Sequence, residues 1–163
     1  MKIKGKALNL PKPMTCVFHR EDGDITFHCG PVVDFTEFEQ RVPEPKPPLV
    51  SRVDGRKEQL LDDQKYQLKL AKFGELRFAY LCIRSIGHTP DLEWSTVDIS
   101  NPDTWGNYEK DLKSVLTTAE YNRLVGTVLE ANNPSSKRRQ EALENFTSTV
   151  ENQQTTNSPT QEQ

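Results

Sequence analysis

Hydrophobic and polar residues alternate over three short stretches near the start of the chain, which is the pattern of half-buried β-strands. The stretches cover residues 2–8, 14–20 and 25–29. The last two flank Asp22-Gly23, a dipeptide typical of tight hairpin turns. A short helix should follow, because Asp34 and Glu37 have the spacing of a capping box. Residues 1–42 are therefore predicted to be β-rich with one short helix.

Closely spaced prolines mark the end of this part. Pro43, Pro45, Pro47 and Pro48 form a run that neither a helix nor a central strand tolerates. The run should be extended and similar to polyproline. We interpret residues 43–59 as a Pro-rich linker with a small turn at Asp54-Gly55.

The longest helical pattern comes next. Apolar residues recur at steps of three and four between Tyr66 and Ile83, which predicts a helix from about Asp63 to Gly87. Between Leu76 and Ile86 they cover most of the helix circumference, as in a helix at the centre of a domain.

Start signals place three shorter helices after a loop at 88–101, in which residues 95–99 look extended. Asn101 before Pro102 begins one helix, to about residue 113, and Thr117 with Glu120 is a capping box for the next. A last short helix is expected at 135–146.

Together these elements predict an α+β fold. A small N-terminal antiparallel β-sheet with a hairpin precedes a mainly helical body of about four helices, residues 60–146, in the same domain. Residues 147–163 are almost all Thr, Ser, Asn, Gln and Glu. Such a segment buries too little apolar surface to offset its ordering entropy, so we predict a disordered tail.

Composition narrows the classes of function. The net charge is −3 and the basic residues are scattered, which disfavours nucleic-acid binding. No apolar stretch is long enough for a membrane span, and the N-terminus lacks the hydrophobic region of a secretory signal. We therefore expect no membrane partner and a reducing compartment, in which the three cysteines are free thiols.

Four residues of the hairpin are potential zinc ligands: Cys16, His19, His28 and Cys29. A two-residue turn at Asp22-Gly23 would set Cys16 opposite Cys29 on the apolar face and direct both histidines to the other face. A tetrahedral site needs all four to converge. We expect the cysteines to belong to the core, and we predict no metal and no cofactor.

Enzymatic chemistry has little support in the sequence. His88 and Asp91 have no nucleophile at a recognisable spacing, and no glycine-rich phosphate-binding motif is present. Cys82 lies in the most apolar part of the long helix and is expected to be a small buried hydrophobe. We predict that the protein is not an enzyme.

Two features favour protein binding. The prolines Pro43, Pro45, Pro47 and Pro48 are pre-extended and would lose little entropy on docking, although a stiff spacer explains them as well. Trp94, Trp105 and Tyr108 are residue types enriched in binding hot spots, but core packing is the alternative.

Several segments resemble a family of small proteins encoded among the tail genes of long-tailed bacteriophages, the tail assembly chaperones. They span most of residues 1–146 and include no catalytic motif. The segments are MKIKGK (1–6), VDFTEF (33–38), VPEPKPP (42–48), TPDLEWSTVD (89–98), NPDTWGNYEK (101–110) and NRLVGTVLEAN (122–132).

The resemblance implies a non-enzymatic protein of the host bacterial cytoplasm. Such a protein would keep the tape-measure protein soluble and recruit tail-tube protein to it during tail morphogenesis. A structural virion component, such as a tail adaptor or a tube-associated protein, is the alternative. Self-association into a homo-oligomer is left open, and we expect no nucleic acid among the partners.

Overall fold

The computed structural model describes residues 13–53 and 55–133, together with the secondary structure of residues 2–3 and 6–7. These residues have the predicted α+β fold. The described strands form three antiparallel pairs: β1 (Lys2–Ile3) with β2 (Lys6–Ala7), β3 (Met14–Phe18) with β4 (Ile25–Cys29), and β5 (Leu49–Ser51) with β6 (Lys57–Gln59). The described helices are α1 (Thr36–Arg41), α2 (Gln64–Ile86), α3 (Tyr108–Lys113) and α4 (Thr118–Asn132). The helix predicted at 135–146 and the tail at 147–163 lie outside the described residues.

The pairing register of β3 and β4 differs from the prediction by two residues. Cys16 pairs with Phe27, and Cys29 pairs with Met14, so the two cysteines are not opposite each other. The turn is centred on Glu21-Asp22 instead of Asp22-Gly23, because the Gly23 N–H donates to the Arg20 carbonyl at 3.3 Å. Gly23 follows this turn at φ 128°, a conformation that glycine adopts easily.

The prediction of which hairpin side chains face the core is still correct, because side chains alternate along a strand with a period of two. A shift of two residues leaves each side chain on its original face. The inward face packs into the core through Cys16, Phe18, Phe27 and Cys29, all of which are buried.

Helix α1 begins without the predicted capping box. Its N-cap position is Phe35, and the Asp34 carboxylate accepts a hydrogen bond from the Thr36 N–H at 2.8 Å. Glu37 does not return to the helix start, because its carboxylate forms an ion pair with Arg84. A full guanidinium charge is a stronger partner for a carboxylate than a backbone N–H.

Helix α2 matches its prediction closely. The Asp63 side chain caps it by accepting from the Tyr66 N–H at 2.8 Å, and Gly87 follows its last residue. The C-terminal half is buried on most sides, and Tyr80 packs against Phe38 and Trp105 with ring centroids 5.6 and 5.1 Å away. This aromatic cluster joins α1, α2 and the 3-10 helix Pro102–Asn107, which occupies the first half of the helix predicted at 102–113.

Helix α4 connects distant parts of the chain. Its predicted capping box forms: Glu120 accepts from the Thr117 N–H at 2.8 Å, and its own N–H donates to the Thr117 hydroxyl at 3.4 Å. Glu120 also pairs with Arg20 at 2.8 Å. At the other end, Asn132 accepts from the Val32 N–H at 2.6 Å. The helix is thus attached to the hairpin region at both ends.

Three stretches differ from their predicted local structure. The interval 2–8, predicted as one strand, contains the two strands β1 and β2, which pair with each other. The interval 49–59, for which we predict only a linker, contains the β5–β6 hairpin, whose turn includes Gly55 at φ 81°. The interval 95–99 forms no strand. It is bent, and the Thr96 N–H and hydroxyl both donate to the Asp111 carboxylate at 2.8 and 2.7 Å.

Candidate partner-binding grooves beside α2

The Cys/His hairpin does not assemble a metal site. Cys16 and Cys29 are buried on the inward face, whereas His19 is exposed and binds the Asp24 carboxylate at 2.9 Å. Across residues 13–53 and 55–133, no group of three or more His, Cys, Asp or Glu side chains is arranged to hold a metal ion. All three cysteines are free thiols.

Burial controls the chemistry of two of these thiols. Loss of solvation raises the pKa of Cys29 to about 12, with a further rise from the neighbouring Cys16. Loss of solvation also raises the pKa of Cys82 to about 12, against a lowering contribution from its hydrogen bond with Tyr108. Both groups are therefore neutral thiols at physiological pH, and neither is an activated nucleophile.

The predicted aromatic contact residues lie mainly inside the fold. Trp105 has no exposed surface and donates its indole N–H to the Ile99 carbonyl at 3.1 Å. Tyr108 is buried, and its hydroxyl lies 3.4 Å from that of Tyr121. Trp94 is half-buried against the core. Their place in the core is the alternative left open by the sequence, and direct contact with a partner stays a prediction.

The predicted proline segment lies along the first half of α2. Pro45 and Pro47 are half-buried, whereas Pro43 and Pro48 are exposed. A shallow groove of about 350 Å³ separates Pro43 and Pro45 from Phe73 and Leu76 of α2, with Lys69 and Lys72 at its edge. The proline segment therefore faces the protein's own helix along this groove, and its contact with a partner stays a prediction.

A larger groove of about 640 Å³ lies on another side of α2. Its lining comes from α2, the 3-10 helix, α3 and the start of α4. The apolar part consists of Leu76, Phe78, Ala79, Tyr108 and Tyr121, and the charged part of Lys72, Glu75, Asp103 and Glu109. We call it the α2–α3 groove. Its lining combines these apolar side chains with a mainly acidic set of charged ones, and Tyr108 is the one predicted contact residue that lines it.

A third cavity, of about 430 Å³, adjoins α1. Asp34, Glu37, Arg84 and His88 line it. The charges are largely paired within the protein, because Glu37 binds both Arg84 and Arg41. His88 is exposed and packs its ring over Gly30.

The groove-lining role of Leu76, Phe78 and Ala79 was not visible in the sequence, because the apolar pattern assigns these residues to the buried part of α2. Phe78 and Leu76 are only half-buried, because the neighbouring helices leave the groove open above them. Helical periodicity shows that a face is apolar, but it does not show whether the protein itself covers that face.

No described helix has the length and apolar character needed to cross a membrane. Comparison of the chain with protein-family models, with curated proteins and with solved structures finds no match.

Proposed function

We propose that this protein is a non-enzymatic assembly chaperone for bacteriophage tails, acting in the cytoplasm of the host bacterium. It binds segments of the tape-measure protein and brings tail-tube protein to them. The support for this family is the resemblance of six segments distributed over residues 1–132.

The structural feature that carries the proposal is the α2–α3 groove. A groove between helices with an apolar floor accepts the apolar face of an amphipathic helix. Three carboxylates on the rim, from Glu75, Asp103 and Glu109, favour a helix flanked by Lys or Arg. A tape-measure protein is long and helical, so it offers many segments of this kind.

The distribution of charge supports solubilisation of such a client. Residues 13–42 and 69–133 carry fifteen acidic and nine basic side chains. A bound apolar segment would be covered on one side by the groove and surrounded by this acidic surface, which opposes association between complexes. Binding alone accomplishes this task, without a chemical step.

The role of the α2–α3 groove in binding is tested by a substitution that fills the groove. Gly106 lines the α2–α3 groove, and a Cβ at this position meets open space, so Gly106→Tyr places a ring in the groove without disturbing the core. Gly126 has the same open surroundings on α4 and lies outside the groove, so Gly126→Tyr is the matched control. The wild-type chain is co-expressed with a bacteriophage tape-measure protein, and affinity is measured by titration with peptides from that protein.

We expect Gly106→Tyr to weaken peptide binding at least about tenfold, equivalent to about 1.4 kcal/mol, while Gly126→Tyr binds as wild type. Equal binding by both variants would remove the groove from the proposal.

Mass spectrometry of purified virions tests the class of function, because a chaperone leaves the finished particle. Finding the chain at stoichiometric levels would favour the structural virion component instead.

A further inference from the structure

Exposed apolar side chains are concentrated in one stretch of the described chain. Residues 43–68, here called the arm, comprise the proline segment, the β5–β6 hairpin and the first turns of α2. Six large hydrophobic residues of the arm are exposed: Leu49, Val50, Val53, Leu60, Leu61 and Leu68. The other described parts of the chain expose only four, Val33, Ile99, Val115 and Leu129, which are far apart in sequence.

The hairpin of the arm is open on both faces. Leu49 is 60% exposed and Val50 is 44% exposed, and adjacent residues of a strand point to opposite faces. Every residue of β5 and β6 is exposed. A two-stranded hairpin without a covered face is at best marginally stable in water, so this one needs a further contact.

The β5 edge presents unpaired backbone groups. The Arg52 N–H donates to the Arg56 carbonyl at 2.8 Å, and the Leu60 N–H donates to the Pro48 carbonyl at 2.9 Å. Hydrogen-bonded pairs alternate along an antiparallel ladder, so the backbone groups of Leu49 and Ser51 point away from β6. No charged residue occurs in β5, whereas Lys57 and Glu58 protect β6. The β5 edge is therefore the one suited to pairing with another strand.

The distribution of charge along the chain indicates which molecule supplies that strand. The arm carries five basic and five acidic residues, whereas residues 13–42 and 69–133 carry nine basic and fifteen acidic ones. A two-fold contact brings identical patches together, so it requires a patch that does not repel itself. The arm meets this condition, and the acidic remainder does not.

We propose that the arm is a self-association surface, on which β5 pairs antiparallel with β5 of a second copy. The two hairpins then form a four-stranded sheet across a two-fold axis, and the side chains of Leu49 and Val50 gain cross-strand neighbours from the second copy. The interface is small, so a weak dimer with a Kd in the micromolar range of about 1–100 µM is expected. This inference does not depend on the proposed tail function.

The test removes the backbone donor at the edge. Ser51→Pro deletes an N–H that the hairpin itself does not use, and Gln59→Pro deletes the corresponding outward N–H on the β6 edge. The molar mass of the full chain and of both variants is measured by analytical ultracentrifugation over a concentration series, and circular dichroism checks folding. We expect a dimer for wild type and Gln59→Pro, and a dimer at least about tenfold weaker for Ser51→Pro.

A cross-link provides a second readout that does not depend on proline. Leu49→Cys, Val50→Cys and Ser51→Cys each place a thiol on β5, and mild oxidation should join two copies in at least one of them. The wild-type chain, whose three cysteines are buried, is the control and should not cross-link. A monomeric wild-type chain, unchanged association of Ser51→Pro, or no cross-link in any cysteine variant would each overturn the proposal. The proposal would also be overturned if the chain stays monomeric and its arm binds a tape-measure peptide instead of a second copy.

Discussion

Trp105 illustrates how burial decides between two roles for one side chain. Its ring stacks on Phe38 with centroids 6.0 Å apart, and its N–H is satisfied by the Ile99 carbonyl. The sequence shows a tryptophan at a three-residue step from Tyr108, a spacing that fits either a binding surface or a core. Only the path of the chain around it distinguishes the two.

Truncation of Trp105 should therefore act on stability. We expect Trp105→Ala to lower the free energy of unfolding by about 3–5 kcal/mol, because the ring is fully buried. Trp105→Phe should lower the free energy of unfolding by less, because phenylalanine keeps an aromatic ring at this position. It lacks the N–H that donates to the Ile99 carbonyl. Urea unfolding followed by circular dichroism measures both, with Trp94→Phe as the half-buried control. A loss below about 1 kcal/mol for Trp105→Ala would contradict this packing.

The polar contacts of Asn132 were not predictable from the sequence. Besides accepting from Val32, its amide donates to the Ser85 hydroxyl at 3.2 Å and to the Val128 carbonyl at 2.8 Å. In the sequence, Asn132 is simply the last polar residue of the segment 122–132. A contact between residues so far apart depends on how three elements meet, and no local pattern encodes it.

At the scale of the elements, local signals were most reliable where they act within one turn. The start of α2 at Asp63 and the start of α4 at Thr117 follow from side-chain caps, which need only neighbouring residues. The box at Asp34 failed because Glu37 has a partner on α2. The β5–β6 hairpin was missed because its side chains are exposed on both faces, so they produce no alternation of apolar and polar residues.

The Thr117 cap offers a direct measure of such local stabilisation. Thr117→Ala removes the hydroxyl that accepts the Glu120 N–H, and we expect it to lower the free energy of unfolding by about 1 kcal/mol. Thr118→Ala, one residue into the helix and exposed, is the matched control and should change stability by less than about 0.5 kcal/mol. Equal effects in chemical denaturation would show that the cap contributes nothing specific.

At the scale of the whole molecule, the surface carboxylates link stability to pH. Hydrogen bonds from the Thr36 hydroxyl and N–H lower the pKa of Asp34, and the hydroxyl and N–H of Ser100 lower the pKa of Asp98. The backbone N–H and hydroxyl of Thr117 lower the pKa of Glu120, with a smaller effect from Arg20. All three groups bind protons more weakly in the folded state than in the unfolded one.

Stability should consequently fall in acid. A carboxyl whose folded pKa is depressed stabilises the fold above its unfolded pKa, near 4, and this contribution disappears as pH falls through the lower folded value. We expect the Tm to be nearly constant between about pH 5 and 7 and to decrease below about pH 4. Differential scanning calorimetry checks this, and Glu120→Gln should reduce the slope. A Tm that rises between about pH 5 and 3 would contradict the assignment.

The candidate site was only partly visible in the sequence. The prolines and Tyr108 line grooves beside α2, but the grooves themselves arise where α2 meets segments that lie well before or well after it in the chain. The β3–β4 hairpin shows that a wrong register can leave the predicted faces of a strand pair correct. Its turn was misplaced, yet the parity of the strands still placed Cys16 and Cys29 on the inward face.

The attachment of α4 at both ends has a consequence for the order in which the protein is synthesised. Glu120 and Asn132 each contact residues that precede them by 100 positions, Arg20 and Val32. While the chain grows on a ribosome, the inward face of the first hairpin is made long before the helix that covers it. The nascent chain must therefore keep Phe18 and Phe27 shielded by transient contacts until its last described helix emerges.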